Sequence, residues 1–206
     1  MRIEDRKSLI LRARHNVGLM LRRARYGSPS SKVFVVGLQK TGTTSIQYAL
    51  SLLGYRVGGT LRVGDLTVPD GLLAKVIDLS YRYDAVADHP WALFFRELDA
   101  EHPGSKFILT TRDPDRWYAS VCKHFGDTEN KMRTWIYGPG APTENRDLYI
   151  DRLIQHERDV REYFANRPAD LLEIEMAQGH GWTEICPFIN KPVPKQQFPR
   201  LNVAKT

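Results

Sequence analysis

The sequence predicts an α/β protein of three layers, with a central parallel sheet and helices on both of its faces. Short apolar runs rich in β-branched residues alternate with stretches whose apolar residues recur at helical spacing, and this alternation is typical of parallel α/β sheets. The 206 residues contain no internal repeat and no domain linker, and their number suits one hydrophobic core. We therefore expect one three-layer α/β/α domain.

The first half of the chain is predicted to contain three strands and three helices in alternation. The strands are residues 33–36, 55–57 and 83–88, and the helices are residues 43–53, 68–79 and 90–98. The first strand, Val33-Phe34-Val35-Val36, is apolar at every position, which indicates burial on both faces. Gly54 ends the first helix, and Pro90 suits the start of the third.

The second half begins with the clearest strand after the first, residues 106–111, followed by a helix that Asp113-Pro114 caps and opens. A long polar helix over residues 145–166, a strand over residues 171–176 and a proline-rich tail complete the chain. Glycines and prolines within residues 126–145 indicate irregular loops. We expect a substrate surface to form there.

The positive charge of the chain is confined to its N-terminal part. Residues 1–32 contain nine lysines and arginines and two carboxylates, a net charge of +7, whereas the other 174 residues contain 21 basic and 22 acidic side chains. We therefore separate a basic, partly helical arm, residues 1–31, from a nearly neutral domain, residues 32–206. The arm either packs on the domain with a solvated basic face or contacts a membrane or another partner. Its longest apolar runs have three residues, far short of the roughly 20 that cross a bilayer.

Charge and cysteine usage also bound the partners and the compartment. The neutral domain argues against nucleic acid as a partner. The two cysteines, Cys122 and Cys186, are too few for a disulfide framework and lack the spacing of a zinc site. We therefore expect a cytoplasmic protein, either free or held at the inner surface of the membrane through its arm.

A loop with two glycines, Gly37-Leu38-Gln39-Lys40-Thr41-Gly42-Thr43-Thr44-Ser45, joins the first strand to the first helix. At such a position backbone N–H groups and the helix dipole bind anions, so residues 39–45 are a candidate phosphate loop of a P-loop-type fold. The glycines keep the spacing of a Walker A loop, but Thr43 replaces its lysine, and Lys40 lies three residues before that position. This difference argues against an ordinary ATPase or GTPase.

The segment Lys40-Thr41-Gly42-Thr43-Thr44-Ser45 resembles the 5′-phosphosulfate loop of the P-loop sulfotransferases, which use 3′-phosphoadenosine 5′-phosphosulfate (PAPS). The resemblance implies that Lys40 contacts the oxygen bridging sulfate and 5′-phosphate and stabilises charge on the leaving phosphate. It also places the rest of the loop in the cofactor site: Gln39, Thr41, Gly42, Thr43, Thr44 and Ser45, the last three at the 5′-phosphate. A nucleoside or nucleotide kinase with a degenerate loop is the alternative.

Arg112 and Ser120 are a second set of candidate cofactor ligands. They lie eight residues apart, the arginine at the carboxyl end of a predicted strand and the serine two turns into the next helix, so both can reach one phosphate. The sulfotransferases have an arginine and a serine at this spacing in their 3′-phosphate site. Taken alone, an arginine before a helix is more often a salt-bridge partner.

The segment Asp88-His89-Pro90 contains the candidate general base. An acceptor must lose a proton as it attacks sulfur, so a base should lie near the loop, at the end of a neighbouring strand. Cytosolic sulfotransferases place a histidine two residues before a proline here, whereas this chain has Asp88 in that position and His89 beside it. We predict Asp88 as the base and His89 as the second choice. The alternatives are helix capping or a kinase magnesium site for Asp88, and a polar strand end for His89.

The tail, residues 192–202, resembles the end of a bacterial-type branch of the sulfotransferases. The resemblance allows Lys195 or Arg200 to fold over the 3′-phosphate, although exposed basic residues near a terminus are more often solvated. The glycine-rich cap that cytosolic sulfotransferases carry late in the chain is absent from the sequence.

The aromatic residues fall into two groups. Four of them have helical spacing relative to their apolar neighbours and are predicted to pack in the core: Trp91, Phe94, Phe95 and Trp117. Trp135 and Tyr137 lie in the region expected to be irregular and are candidates for acceptor contacts.

These features predict a sulfotransferase that moves a sulfuryl group from PAPS to a hydroxyl or amine of a small-molecule or glycan acceptor and releases 3′-phosphoadenosine 5′-phosphate (PAP). Lys40 stabilises the leaving side, Asp88 acts on the attacking side, and the scheme needs no metal ion. Two alternatives stay open. One is an ATP-dependent small-molecule kinase of P-loop fold; the other is a catalytically inactive, nucleotide-binding interaction protein tethered by the arm.

Overall fold

Five parallel strands form one sheet in the computed structural model, which describes residues 17–61 and 71–201. The strands are Val33–Val35 (β1), Val57–Gly58 (β2), Ala85–Ala87 (β3), Lys106–Thr111 (β4) and Leu171–Glu175 (β5). Their spatial order is β2-β3-β1-β4-β5, and every pairing is parallel. The carboxyl ends of all five strands therefore lie at the same edge of the sheet.

Helices connect the strands. Within the described residues they are 17–26 (α1), Thr43–Leu52 (α2), Leu72–Ser80 (α3), Phe95–Glu101 (α4), Pro114–Phe125 (α5), Lys131–Tyr137 (α6), Arg146–Phe164 (α7) and Trp182–Phe188 (α8). Short 3-10 turns occur at Trp91–Phe94, Pro168–Asp170 and Met176–Gln178.

The two faces of the sheet carry separate apolar cores. Val33 and Val35 of β1 pack with α2 and α8, whereas Phe34 and Val36 pack with α3, α4 and α7. A third apolar cluster joins α5, α6 and α7 to Leu38, in the loop that follows β1. β1 is therefore buried on both faces, as its continuous apolar run predicts, and the three-layer α/β/α architecture is confirmed.

The sequence does not predict α6 or α8. Residues 126–145, expected to be irregular, contain α6, and the Asn130 side chain caps it by accepting a hydrogen bond from the Arg133 N–H over 3.1 Å. α8 contains Pro187 near its C-terminal end, and a proline inside a helix hides the helical pattern because proline usually ends one.

The region around β3 and β4 follows the prediction more closely. The helix predicted from Pro90 is a 3-10 turn followed by α4, while β4 has its predicted bounds. The Asp113 carboxylate caps α5 by accepting a hydrogen bond from the Arg116 N–H over 2.9 Å, and Trp117 is fully buried. The first residues of the helix predicted over 68–79 lie outside the described residues.

Polar contacts fasten α1 and the segment after it to the domain. The Arg23 guanidinium donates to the carbonyl of Gly54 over 3.2 Å and forms an ion pair with Asp84 over 2.5 Å. The Lys191 ammonium donates to three consecutive carbonyls, those of Tyr26, Gly27 and Ser28. None of the helices that the structure describes has the length and apolar character needed to cross a membrane.

Candidate active site

A cavity of about 1140 Å³ opens at the carboxyl edge of the sheet. Residues that follow each of the five strands line it: 39–45 after β1, Thr60 and Leu61 after β2, Asp88 and His89 after β3, Arg112 after β4, and Met176 after β5. Ligands of parallel α/β sheets bind at this edge because loops from several strands converge there. Candidate residues from separate parts of the sequence thus meet in one cavity.

The residues that line the cavity form two groups, which we name after the elements that supply them. The loop end comprises residues 39–45 together with Arg112 and Ser120, and the helix end comprises residues 123–125 and 129–133, from the end of α5 and the start of α6. Burial and then the charges of Lys40 and Arg133 lower the pKa of His124 at the helix end. The charge of Lys40, in the loop end, therefore also acts on a titratable side chain of the helix end.

Side chains of β4 and α5 form hydrogen bonds with the loop that follows β1. The Thr41 hydroxyl donates to the carbonyl of Leu38 over 2.6 Å and lies 2.6 Å from the Thr110 hydroxyl. The Trp117 indole N–H donates to the carbonyl of Gln39 over 2.8 Å. These bonds explain why the buried Thr41 carries a hydroxyl, and they fix the loop before any ligand binds.

Two glycines let the loop lie close to its neighbours. A Cβ atom at Gly37 would lie 1.9 Å from the Thr110 Oγ1 atom, so no larger residue fits there. Gly42 has φ +116° and immediately precedes α2, and a Cβ there would lie 2.6 Å from the Met176 side chain. Because the first N–H groups of a helix have no intrahelical acceptor, the start of α2 presents free donors and a positive dipole end to the cavity.

Lys40 combines an unusual backbone conformation with a crowded electrostatic environment. Its φ is +68°, in the left-handed region that non-glycine residues seldom adopt. Burial lowers the pKa of its ammonium, the neighbouring Arg112 lowers it further, and Asp88 opposes both. Such strain persists only where the surrounding structure fixes it, and it concentrates at functional sites.

Asp88 shares this strained conformation and is held by two hydrogen bonds. Its φ is +73°. One carboxylate oxygen accepts from the Thr60 hydroxyl over 2.8 Å, and the other accepts from the His89 N–H over 3.0 Å. The carboxylate therefore has a defined position in the cavity and does not cap the following helix with its side chain, one of the alternatives that the sequence leaves open.

His89 lies deeper than Asp88. Only 2% of its surface is exposed, and its Nε2 atom has no hydrogen-bond partner among the described residues. Burial lowers the pKa of the imidazole, the Asp88 charge opposes that shift, and Arg152 adds to it. A buried polar atom without a partner is costly, so this atom is suited to a ligand group or a water molecule in the cavity.

Arg112 and Ser120 both line the cavity. The Arg112 guanidinium donates to the Lys40 carbonyl over 3.0 Å, which joins the second motif to the first. Burial and the charge of Arg116 lower the pKa of Arg112, while Asp113 opposes them. Arg112 thus contributes both a structural bond to the loop and a cationic group to the cavity.

The C-terminal tail reaches the cavity through Arg200 but not through Lys195. Arg200 lines the cavity and donates to the carbonyl of Met176 over 2.7 Å. Lys195 is exposed and lies outside the cavity lining. The Ser45 hydroxyl, expected to hold a phosphate, accepts a hydrogen bond from the Leu201 N–H over 2.9 Å. The tail therefore packs against the loop as well as the cavity.

The cavity is more positive than the domain around it. Its lining contains seven basic side chains, Lys40, Arg112, Arg116, Lys123, Lys131, Arg133 and Arg200, and four carboxylates, Asp88, Asp113, Glu129 and Glu175. Its net charge is therefore +3, whereas residues 33–206 as a whole carry −1. Clefts of one sign attract ligands of the opposite sign, so the lining favours an anionic ligand.

Sequence reasoning missed several of these cations. Arg116, Ser120 and Lys123 lie three and four residues apart on α5, so they share one face of that helix, and this spacing is a signal that the sequence contains. Lys131 and Arg133 lie in residues 126–145, where the sequence predicts no helix that would place them. Of the aromatic candidates in that region, Trp135 and Tyr137 both pack in apolar clusters and neither lines the cavity. Their predicted contact with an acceptor is therefore replaced by a role in packing.

The structure also describes the groups able to hold a metal ion. Within residues 17–61 and 71–201, no three His, Cys, Asp or Glu side chains are grouped as a metal site. Cys122 is partly buried and Cys186 is buried, and neither forms a disulfide.

Comparison with known proteins adds independent information. A family model described as a sulfotransferase domain matches residues 71–147 and 130–206, which is more than half of the chain and includes Asp88, Arg112 and Ser120. The matched segments do not include the loop after β1. The chain is also similar to Ava biosynthesis cluster protein M of Aspergillus versicolor, with 28% identity over 210 residues that cover 82% of this chain and 80% of the relative.

Proposed function

The chain belongs to the sulfotransferase domain family, and from that premise we propose that it transfers a sulfuryl group from PAPS to a hydroxyl or amine of a small-molecule or glycan acceptor. The observation that carries the proposal is the arrangement at the loop end. Lys40 and the start of α2 lie next to Arg112, and Asp88 lies within electrostatic range of Lys40. Cationic groups for a leaving phosphate and a carboxylate for an acceptor proton thus lie in the same cavity.

The residues present fit a donor that carries charge at two points. Free N–H groups at the start of α2, with Thr43 and Thr44, suit the 5′-phosphosulfate, because a helix N-terminus binds anions. Arg112 and Ser120 suit a second phosphate, with Arg116 on the same face of α5. The net charge of +3 in the lining supports a polyanionic donor over a neutral one.

Lys40 acts on the leaving side of the transfer in this proposal. PAPS supplies the sulfuryl group, and the bond from sulfur to the 5′-phosphate oxygen breaks as the bond to the acceptor forms. Negative charge grows on that phosphate oxygen, and a cation fixed beforehand stabilises it without reorganisation. The loop supplies this fixation through the bonds from Trp117 and Arg112 to the carbonyls of Gln39 and Lys40.

Asp88 acts on the attacking side. Its carboxylate is oriented by Thr60 and by the His89 N–H, and it takes the proton that the acceptor loses. His89 is the second candidate: burial lowers the pKa of its imidazole, which favours the neutral form that a base requires. In that case the unpartnered Nε2 atom receives the proton.

A label-transfer assay tests the proposal. The protein is incubated with PAPS carrying radiolabelled sulfate and with a panel of phenols, sugars, amines and alcohols, without magnesium. We expect label to appear on at least one acceptor class with the wild type and with Lys195→Ala, whose side chain lies outside the cavity. Label should appear about 10²-fold or more slowly with Lys40→Ala. Transfer of the γ-phosphate of ATP to the same panel, dependent on magnesium, would instead show a kinase. PAP binding without transfer to any acceptor would show an inactive nucleotide-binding protein.

A further inference from the structure

α1 turns an apolar stripe toward solvent. Val17, Met20 and Leu21 are 56%, 70% and 66% exposed, and Ala24 is exposed as well. Their spacing of three, four and seven residues puts them on one face of the helix. A helix that packs on a domain normally turns such a face inward, so the stripe is not explained by the packing of α1.

Side chains on the opposite side of α1 attach the helix to the domain, and the apolar stripe takes no part in these contacts. Leu19 is buried, with 4% of its surface exposed, and Arg23 binds the carbonyl of Gly54 and the carboxylate of Asp84. The helix is thus anchored by Leu19 and Arg23 and, at its last residue, by Tyr26, which packs against the core and whose carbonyl accepts from Lys191. Its remaining apolar surface is available for a partner.

Charge indicates the kind of partner. Residues 1–32 carry a net charge of +7, and the exposed Arg25 follows the stripe directly on the same face. An apolar helix face bordered by basic residues is the combination that binds an anionic lipid surface. A second copy of the chain is a poorer partner, because it would bring two strongly basic arms together. We propose that the solvent face of α1 docks in the interface of an anionic bilayer, independently of the reaction in the cavity.

The position of α1 is compatible with an active enzyme on that surface. Its anchors, Gly54 after α2 and Asp84 before β3, lie at the amino edge of the sheet. The cavity opens at the carboxyl edge. Docking through α1 therefore leaves the cavity open to the aqueous side.

Vesicle sedimentation of the full chain tests the proposal. The vesicles are phosphatidylcholine alone or phosphatidylcholine with an equal amount of phosphatidylglycerol, at low and high salt. The test variant is Met20→Gln with Leu21→Gln, which removes apolar surface that does not pack in the core. The matched control is Leu148→Gln with Ile154→Gln, two substitutions at exposed apolar positions of α7. Circular dichroism confirms that each variant keeps the fold.

We expect the wild type and the control to bind the mixed vesicles and not phosphatidylcholine alone, with weaker binding at high salt. The test variant should bind about tenfold or more weakly, since it lacks two apolar side chains that enter the bilayer interface on docking. Equal binding by the wild type and the test variant, or no binding to mixed vesicles, would overturn the proposal. So would a wild-type dimer that the test variant dissociates without vesicle binding, which would make the stripe a self-association face.

Discussion

The loop end and the helix end of the cavity are built in different ways. At the loop end, hydrogen bonds of 2.6 to 3.0 Å from Thr110, Trp117 and Arg112 hold successive loop residues. At the helix end, Arg133 is buried and donates to the carbonyls of Thr128 and Gly140, but Glu129, Asn130 and Lys131 are exposed. Residues that are fixed by their surroundings suit the binding of one constant ligand in a defined geometry. Exposed side chains can be replaced without loss of the fold, which suits the recognition of a variable ligand. We therefore expect the loop end to bind the donor and the helix end to select the acceptor.

Replacing the loop-end cation should have the largest effect. Lys40→Ala should lower turnover by about 10²-fold or more, because it removes a charge that acts mainly on the leaving group. Binding of PAP should weaken only modestly. Single-turnover transfer to an acceptor found in the label-transfer assay measures the rate, and Lys195→Ala is the control. Unchanged turnover in Lys40→Ala would show that this residue has been misassigned.

Replacing Arg112 should separate the two phosphates of the donor. Arg112→Ala should weaken PAP binding by about thirtyfold, equivalent to about 2 kcal/mol for a charged hydrogen bond. Binding of adenosine 5′-phosphate, which lacks the 3′-phosphate, should change much less. Calorimetry of both ligands measures this difference, with Arg82→Ala as the control because Arg82 is exposed, forms an ion pair with Asp78 and does not line the cavity. Equal losses for the two ligands would place Arg112 elsewhere in the site.

His156 links the stability of the loop end to pH. Its Nε2 atom lies 2.6 Å from the carbonyl of Val36, at the end of β1, and burial lowers the pKa of the imidazole from 6.5 to about 4. The unfolded chain binds the proton more readily than the folded one. The contribution of neutral His156 is therefore complete above about pH 6.5 and is lost as the pH falls toward 4.

We expect this group to lower the free energy of unfolding by about 2 kcal/mol between about pH 7 and pH 5. Urea unfolding of the wild type and of His156→Gln at both pH values isolates the contribution, because all other groups titrate alike in the two proteins. Glutamine keeps a donor for the Val36 carbonyl but takes up no proton, so its stability should fall less with pH. Parallel pH dependence in the two proteins would show that His156 does not control it.

Changes at the helix end should have the smallest effect on donor binding. Phe125→Ala and Lys131→Ala should each raise the acceptor KM by about fivefold, the value of a single contact of about 1 kcal/mol. Their PAP affinity should stay within about twofold of the wild type. Steady-state kinetics at saturating PAPS, together with PAP calorimetry, separates the two quantities. A loss of PAP affinity as large as in Arg112→Ala would show that the helix end also binds the donor.

The parts of the fold that the sequence predicts are those fixed by local pattern. β1 is apolar at every position, and Asp113-Pro114 is a local signal for the start of α5. α6 and α8 depend on contacts that a local pattern does not contain. α6 has seven residues and is stabilised by packing Ile136 and Tyr137 against α7. α8 contains Pro187 and is stabilised by packing Ile185 and Cys186 in the core.

The candidate site divides in the same way. The loop from Gln39 to Ser45 and the pair Arg112 and Ser120 are compact motifs, and the structure brings them into one cavity. The helix end is assembled from two helices and the turn between them, so no short motif marks it. The hydrogen bond from Thr60 to Asp88 joins residues 28 positions apart, and only the folded chain brings them together.

The affinity of the wild type for PAP, compared with that for adenosine 5′-phosphate and ATP by calorimetry without magnesium, is the measurement that best separates a PAPS-dependent sulfotransferase from a kinase. We expect micromolar binding of PAP, at least about tenfold tighter than that of adenosine 5′-phosphate, because Arg112 and its neighbours bind the 3′-phosphate as a charged group. Equal affinity for the two ligands, or a preference for ATP that requires magnesium, would contradict a 3′-phosphate site in this cavity.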